Sequence, residues 1–230
     1  LARAHTNARD MIVLDHAYHG NTTTLIDISP YKHNGPGGNG PPPWVHKVPL
    51  PHTAEDAQHV IDVIKTANEL CGFIAESMPS VAGQIVLPAD YLNEVYDVVH
   101  AAGGVCIADE VQTGFGRTGD HYWGFENFDV VPDFVTMAKG LGNGVPLAAV
   151  TTRMEIAKAL TQRIHFNTFG GNPVSMAAGL AVLDVIDEEA GQVGLLGRIS
   201  ENGNNNWYGV RLKVEPDRKV SQIEVLVNRS

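Results

Sequence analysis

The stretch 105–142, VCIADEVQTGFGRTGDHYWGFENFDVVPDFVTMAKGLG, places the tightest limits on how this chain can fold. It opens on an apolar run, Val105-Cys106-Ile107-Ala108, that ends in Asp109 and Glu110. It closes on a second run, Phe134-Val135-Thr136-Met137-Ala138, that ends in Lys139 and a glycine. Short apolar runs bounded by turn residues suit strands buried on both faces of a parallel sheet. Ligands of such sheets bind beyond the carboxyl ends of the strands. The first run therefore delivers a carboxylate to that edge and the second an amine. The working expectation is that Asp109 and Lys139 serve one cofactor.

The flanking sequence extends the same alternation. Residues 10–15 (DMIVLD) read as a buried strand running into the polar, aromatic turn His16-Ala17-Tyr18-His19-Gly20-Asn21. Residues 34–43 (NGPGGNGPPP) are excluded from helix and central strand by their prolines and glycines, and read as a long surface loop. Thr53 with Asp56 three residues on resembles a capping box, and Val60, Ile61 and Ile64 give the helix behind it an apolar stripe. Gly72–Ala75 is a strand ending in Glu76. A helix opens at Asp90, whose carboxylate is expected to cap it, presents Leu92, Val95, Tyr96 and Val99, and stops at Gly103-Gly104. Further strands are expected at 133–138 and 147–151. Helices are expected at 153–162 and from Pro173 to about Glu188, with proline at the first position of the second. The fold class is α/β with a mainly parallel sheet. A change of composition near residue 190 separates a main body, 1–190, from an atypical tail, 191–230, that holds Asn202, Asn204, Asn205 and Asn206 and a possible strand at 223–227.

The totals exclude some classes. A formal net charge of -10 gives no basic face for nucleic acid or an anionic membrane surface. No window approaches an uncharged transmembrane run. Cys71 and Cys106 lie in or beside apolar runs and read as buried free thiols of a reducing compartment. The chain starts at Leu1 without a signal-peptide pattern and is expected to begin inside a longer protein, which leaves its compartment open. His16 and His19 lack the further ligands that a zinc site needs, and no G-x-S-x-G elbow marks a hydrolase. Residues 114–119 (GFGRTG) match the dinucleotide pattern G-x-G-x-x-G, but the residues after them form no amphipathic helix to receive a pyrophosphate.

On spacing alone Lys139 has three readings. It forms a structural ion pair with Asp109 or Glu110, it binds a phosphate near a glycine turn, or it is a Schiff-base lysine with Asp109 facing a pyridinium nitrogen.

The motifs Tyr18-His19-Gly20, Glu76, the run from Ile107 to Gly119, Ala138-Lys139-Gly140 and Thr168-Phe169-Gly170-Gly171-Asn172-Pro173 resemble, in order and spacing, the class III pyridoxal-phosphate-dependent aminotransferases of fold type I. The stretch YHGNTTTLIDISPYK is most similar to the branch that holds alanine–glyoxylate aminotransferase 2 and the ethanolamine-phosphate phospho-lyases. The resemblance covers roughly 10–190. It implies a three-layer large domain, incomplete at both ends, that binds pyridoxal 5'-phosphate and acts as a homodimer. Lys139 resembles the lysine that forms the Schiff base and Asp109 the partner of the ring nitrogen. Tyr18, with His19 beside it, resembles the aromatic residue stacked on the ring, and Gln112 the side chain near the ring hydroxyl. Thr168 resembles the residue that reaches the cofactor phosphate of the neighbouring subunit, and Glu76 the glutamate lining the substrate side. An ordinary lysine, with a pKa of about 10.4, is nearly all ammonium at neutral pH, so that role expects burial beside a cationic ring.

The implied reaction is amino-group transfer from an amine or amino acid to a 2-oxo acid or aldehyde. The alternatives are a phospho-lyase acting on an O-phosphorylated amine, and an inactive fragment that acts as an interaction partner. The family's phosphate loop and its small domain have no counterpart in residues 1–230, so this stretch alone is expected to bind the cofactor weakly. The compartment is expected to be cytoplasmic or mitochondrial.

Overall fold

The computed structural model describes residues 1–67, 69–119, 121–193, 209–214 and 220–226. In chain order the elements are α1 (Ala2–Thr6), β1 (Asp10–Leu14), α2 (Thr23–Asp27), α3 (Pro30–His33), β2 (Val45–Val48), α4 (Gln58–Thr66), β3 (Leu70–Glu76), α5 (Tyr91–Ala101), β4 (Val105–Asp109), β5 (Phe134–Met137), β6 (Ala149–Thr152), α6 (Met154–Ala157), α7 (Pro173–Val193), β7 (Gly209–Val214) and β8 (Val220–Leu226). Residues 34–43 are free of helix and strand, as their prolines and glycines require. The contacts divide the chain into two compact units. One comprises Leu1–Gln112, Phe125–Thr136 and Val150–Phe166; the other comprises Thr113–Gly124, Met137–Ala149 and Asn167–Ser230.

The first unit carries the sheet, ordered β2-β1-β3-β4-β5-β6. The pairings β1–β2, β1–β3, β3–β4 and β4–β5 are all parallel. The register sets Glu76 beside Asp109, so the last residues of β3 and β4 stand together at the carboxyl edge. Every residue of β3 is buried, which explains the unbroken apolar run: neither face of this strand meets water. Met11 and Val13 pack with Ile28, Trp44, Val45, Cys71 and Ile74, while Ile12 and Leu14 alternate with them and are fully buried as well. The apolar stripe of α5 (Leu92, Val95, Tyr96 and Val99) is buried, and the helix packs on β3 and β4.

Two local expectations need correction. The capping residue Asp90 has φ 66, a left-handed conformation, and its side chain makes no capping bond. A capping carboxylate needs extended backbone to fold over the first free N–H groups. The helix expected at Thr53 starts as a 3-10 turn, Ala54–Ala57, before α4 begins. Its entry is nevertheless tied as the sequence implied, with Asp56 Oδ2 accepting from the N–H groups of His52 and Thr53 at 2.7 and 3.0 Å.

In the second unit, Phe115, Tyr122 and Trp123 form an aromatic cluster with ring centroids 4.8 to 5.7 Å apart. The turn that carries GFGRTG has positive φ at Phe115, Gly116 and Gly119, so it folds back on itself and opens no α-helix. Asn172 caps α7, its Oδ1 accepting from the Ser175 N–H at 2.9 Å, with Pro173 next to it as the sequence suggested. The helix runs five residues past the expected end, to Val193. In the tail β7 and β8 pair antiparallel, so the strand expected at 223–227 has a partner the sequence did not suggest. The asparagine cluster at 202–206 lies outside the described residues.

Candidate active site

The site is built from the segments that leave the carboxyl ends of β1, β3 and β4 in the first unit. Beyond β1, His16 turns the chain with φ 61, and Tyr18 and His19 come next. Tyr18 is half-buried and meets Tyr31 edge-on with centroids 5.9 Å apart. The His19 N–H donates to Ser29 Oγ at 2.8 Å, and Ser29 in turn donates to the Leu25 carbonyl at 2.5 Å. This fixes the turn against α2, where even a Cβ on Gly20 would come within 2.7 Å of Leu25 Cδ1.

The tie between strands is the His19–Asp109 pair. His19 Nδ1 lies 2.8 Å from Asp109 Oδ2, with both side chains almost wholly buried. With the carboxylate accepting, Nδ1 carries the proton. Asp109 Oδ1 accepts from the Val111 N–H at 3.1 Å. Each carboxylate oxygen has two lone pairs, so Asp109 retains acceptor capacity. His19 Nε2 is buried without a hydrogen-bond partner among the described residues. The neighbouring Glu110, fully buried, accepts from Ser77 Oγ at 2.5 Å and from the Phe125 N–H at 3.0 Å. Both acids thus have firm partners within their own unit.

Glu76, at the end of β3, is 3% exposed. Its Oε1 accepts from Ser80 Oγ at 2.7 Å and from the Ser80 N–H at 3.3 Å, while Oε2 is buried and unpartnered among the described residues. Gln112 Nε2 donates to Ser80 Oγ at 2.7 Å. The structure therefore brings together Asp109 with His19, and Glu76 with Gln112 through Ser80. Sequence reasoning missed Ser80. The available signal was a hydroxyl four residues beyond a strand-end glutamate, inside a turn.

Lys139 and Thr168 belong to the second unit. Lys139 opens a 3-10 turn, Lys139–Leu141, directly after β5 and Ala138. Its side chain is exposed, contrary to the burial expected at a strand end, because the chain leaves the sheet before the lysine is reached. Its φ of 34 is unusual for a residue with a Cβ, and such strained backbone concentrates at functional positions. Gly140 is next, where a Cβ would stand 3.2 Å from the Phe115 ring. A cavity of about 520 Å³ in this unit is lined by Phe115, Arg117, Gly140, Asn143, Val182 and Ile186. Thr168 sits in an exposed turn whose neighbours are fixed by Asn167 Oδ1, which accepts from the N–H groups of Phe169 and Gly170 at 3.2 and 3.1 Å.

One metal-like cluster, His100, Cys106 and Asp133, has ligand atoms within 4.8 Å of one another. Asp133 is already committed there. Its Oδ2 accepts from His100 Nε2 at 2.8 Å and from the Cys106 N–H at 2.7 Å, and its Oδ1 pairs with Arg153 at 2.5 Å. A guanidinium on the carboxylate makes this a structural clamp. Both cysteines are free and buried, and burial pushes both thiols above their ordinary value. Among the described residues no helix is long and apolar enough to cross a membrane.

Residues 1–204 match the family model for class III aminotransferases. Alanine–glyoxylate aminotransferase 2-like from Drosophila melanogaster is 48% identical over 211 residues, covering 82% of this chain and 43% of that protein. Human mitochondrial alanine–glyoxylate aminotransferase 2 is 44% identical over 222 residues, with the same two coverages of 82% and 43%. The chain thus spans less than half the length of these relatives. Among solved structures, a phospholyase from Arthrobacter in complex with phosphoethanolamine superposes with a TM-score of 0.73 at 32% identity, covering 96% of this chain and 60% of that one. A family-model match that spans residues 1–204 makes this chain a member of the class III aminotransferases.

Proposed function

We propose that this chain forms the cofactor-binding part of a pyridoxal 5'-phosphate-dependent transaminase that moves an amino group from an amine or amino acid to a 2-oxo acid or aldehyde. The observation that carries the reading is the buried His19–Asp109 pair at the carboxyl edge of the sheet, in a chain of this family. A buried carboxylate with spare lone pairs suits a protonated ring nitrogen, and two buried polar atoms, His19 Nε2 and Glu76 Oε2, have no partner among the described residues and can take one from a ligand.

Asp109 is assigned to the ring nitrogen, held in position by His19 and the Val111 N–H. Tyr18 is assigned to the ring face, Gln112 to the ring hydroxyl and Glu76 to the substrate side. Lys139, whose side chain is exposed, is assigned to the aldehyde carbon. When bound, pyridoxal phosphate supplies the aldehyde that takes up the amino group and a cationic ring that accepts the electrons left when the substrate Cα is deprotonated. Lys139 Nζ takes that Cα proton and returns it, as general base and then acid.

Thr168 is assigned to the cofactor phosphate of a second subunit in a homodimer. The segment around it supports this, because Ile164, Phe166, Phe169 and Val174 are each more than 70% exposed. The location is mitochondrial or cytoplasmic, and the mitochondrial names of several relatives support the first.

The test is Lys139→Ala. Turnover and the absorption band of the bound cofactor should both be lost; a variant that keeps both removes Lys139 from the chemistry. The phospho-lyase likeness, which spans nearly the whole chain, favours one second reading. There Lys139 takes the same proton, and phosphate leaves from the neighbouring carbon. Release of inorganic phosphate from an O-phosphorylated amine, with no oxo acid added, selects that reading over transamination.

A further inference from the structure

The turn beyond β3 brings Ser80 back over the carboxylate of Glu76. Ser80 is 8% exposed, and its hydroxyl makes two bonds of 2.7 Å, donating to Glu76 Oε1 and accepting from Gln112 Nε2. A serine hydroxyl has one proton. With that proton committed to the carboxylate, Ser80 meets Gln112 only as an acceptor, so the amide must turn its NH2 group towards it. The chain amide to hydroxyl to carboxylate therefore runs in one direction. Among the described residues it leaves the Gln112 carbonyl, its second N–H and the unpartnered Glu76 Oε2 for a bound molecule.

The turn itself is held separately. The Ser80 carbonyl accepts from the N–H groups of Gly83 and Gln84 at 3.1 and 3.2 Å, and the Ile85 N–H reaches the Pro79 carbonyl at 3.1 Å. None of these bonds uses the hydroxyl, so Ser80→Ala removes the relay and leaves the backbone bonds of the turn in place.

We propose that Ser80 is a positioning residue whose hydroxyl sets the amide orientation of Gln112 and ties it to Glu76. Its role at the site rests on the assignment of Gln112 to the cofactor and Glu76 to the substrate side. The relay itself is a property of the protein without cofactor.

The experiment has two arms. The first tracks the Gln112 side-chain amide by nitrogen-edited NMR of the cofactor-free protein, with the resonance pair assigned by its loss in Gln112→Ala. In Ser80→Ala, solvent exchange of that amide should accelerate about tenfold, as expected for one lost hydrogen bond, and Ser80→Thr should restore the slow rate. An amide unchanged in Ser80→Ala overturns the proposal. Gln112→Glu guards against a misfolded Ser80 variant: it sets two carboxylates competing for one proton, and is expected to loosen pyridoxal phosphate while far-UV circular dichroism shows the fold retained.

The second arm is a double-mutant cycle read by the dissociation constant of pyridoxal phosphate. Ser80→Ala and Gln112→Ala should each weaken binding roughly tenfold, and the double variant should be no weaker than Gln112→Ala alone. Losses that add overturn the coupling. A Gln112→Ala protein that binds like the wild type overturns the cofactor assignment of Gln112, and with it the role of Ser80 at the site, whatever the amide shows. If Gln112→Ala binds weakly but Ser80→Ala binds normally, the Ser80 proposal alone falls.

Discussion

At the scale of single residues, the family motif supplies residue types and the structure supplies their partners. Asp109 is the clearest case. Its carboxylate is flanked by His19 and by the Val111 N–H, two donors that hold its plane while leaving lone pairs for a ligand. Asp109→Asn keeps an acceptor for Val111 and changes little in volume, but removes the charge assigned to the ring nitrogen under the proposed function. We expect its melting temperature to stay within a few degrees of the wild type and its turnover to drop on the order of a hundredfold or more, the scale seen when one preorganised electrostatic partner is deleted. Steady-state kinetics with a parallel thermal melt check this, and turnover within a few-fold of the wild type would remove Asp109 from the cofactor. The identity of Asp109 was readable from its place after an apolar run. Its tie to His19, ninety residues earlier, was not, because the pairing depends on β1 and β4 ending at the same edge of one sheet.

At the scale of elements, two devices hold the sheet in register. The first is steric. Gly72 in β3 pairs with Val105 in β4, and a Cβ at Gly72 would stand 2.1 Å from the Val105 carbonyl oxygen. Because the obstacle is backbone, the strand itself must move. Gly72→Ala should therefore cost about 3 kcal/mol, the upper end of the range for overpacking, and the shift in urea midpoint measures it. The second device is the Asp133 clamp, which ties the end of α5 through His100, β4 through the Cys106 N–H, and the entry to α6 through Arg153. Burial pushes the Asp133 carboxyl up, but the Cys106 N–H, His100 and Arg153 together outweigh it and hold it below its ordinary value. A carboxyl depressed in the folded state binds fewer protons there than in the unfolded chain. Its contribution is present above the ordinary aspartate value of about 4, and is lost as the pH falls through the lower folded value. Asp133→Asn should cost about 2 kcal/mol at neutral pH, less than a fully buried pair because His100 and Arg153 are half exposed. The gap between the two melting curves should close on acidification below about pH 4; a gap that stays constant with pH would show that the Asp133 charge is not what stabilises the sheet.

At the scale of the whole molecule, the apolar residues left outside are as informative as the core. Ile164 is 99% exposed, Phe166 84%, Phe169 81% and Val174 73%, and all four fall within eleven residues around Thr168. Exposed apolar side chains of this kind suit the contact with a second subunit proposed above. The paired change Phe166→Glu with Phe169→Glu should shift the protein towards monomer in light-scattering chromatography while its far-UV circular dichroism stays unchanged. If Thr168 serves the neighbouring site, cofactor affinity should fall with the dimer. An unchanged oligomeric state would detach this segment from any interface.

The sequence by itself determined the α/β class, most strand positions and the residue types at the strand ends, because burial on both faces leaves an unbroken apolar run and the charge that ends it is visible as a break. It also carried the family, since order and spacing of motifs survive in one dimension. The tertiary structure alone decided who pairs with whom: His19 with Asp109, Ser77 with Glu110, Ser80 between Glu76 and Gln112. Those bonds join residues four to ninety positions apart, and short polar side chains in turns look alike until the parallel register sets their strand ends side by side. The same holds at Asp90 and Lys139. The left-handed backbone of the first and the exposed side chain of the second come from how the chain leaves one element and enters the next, which is fixed by packing and not by the residue's own preference.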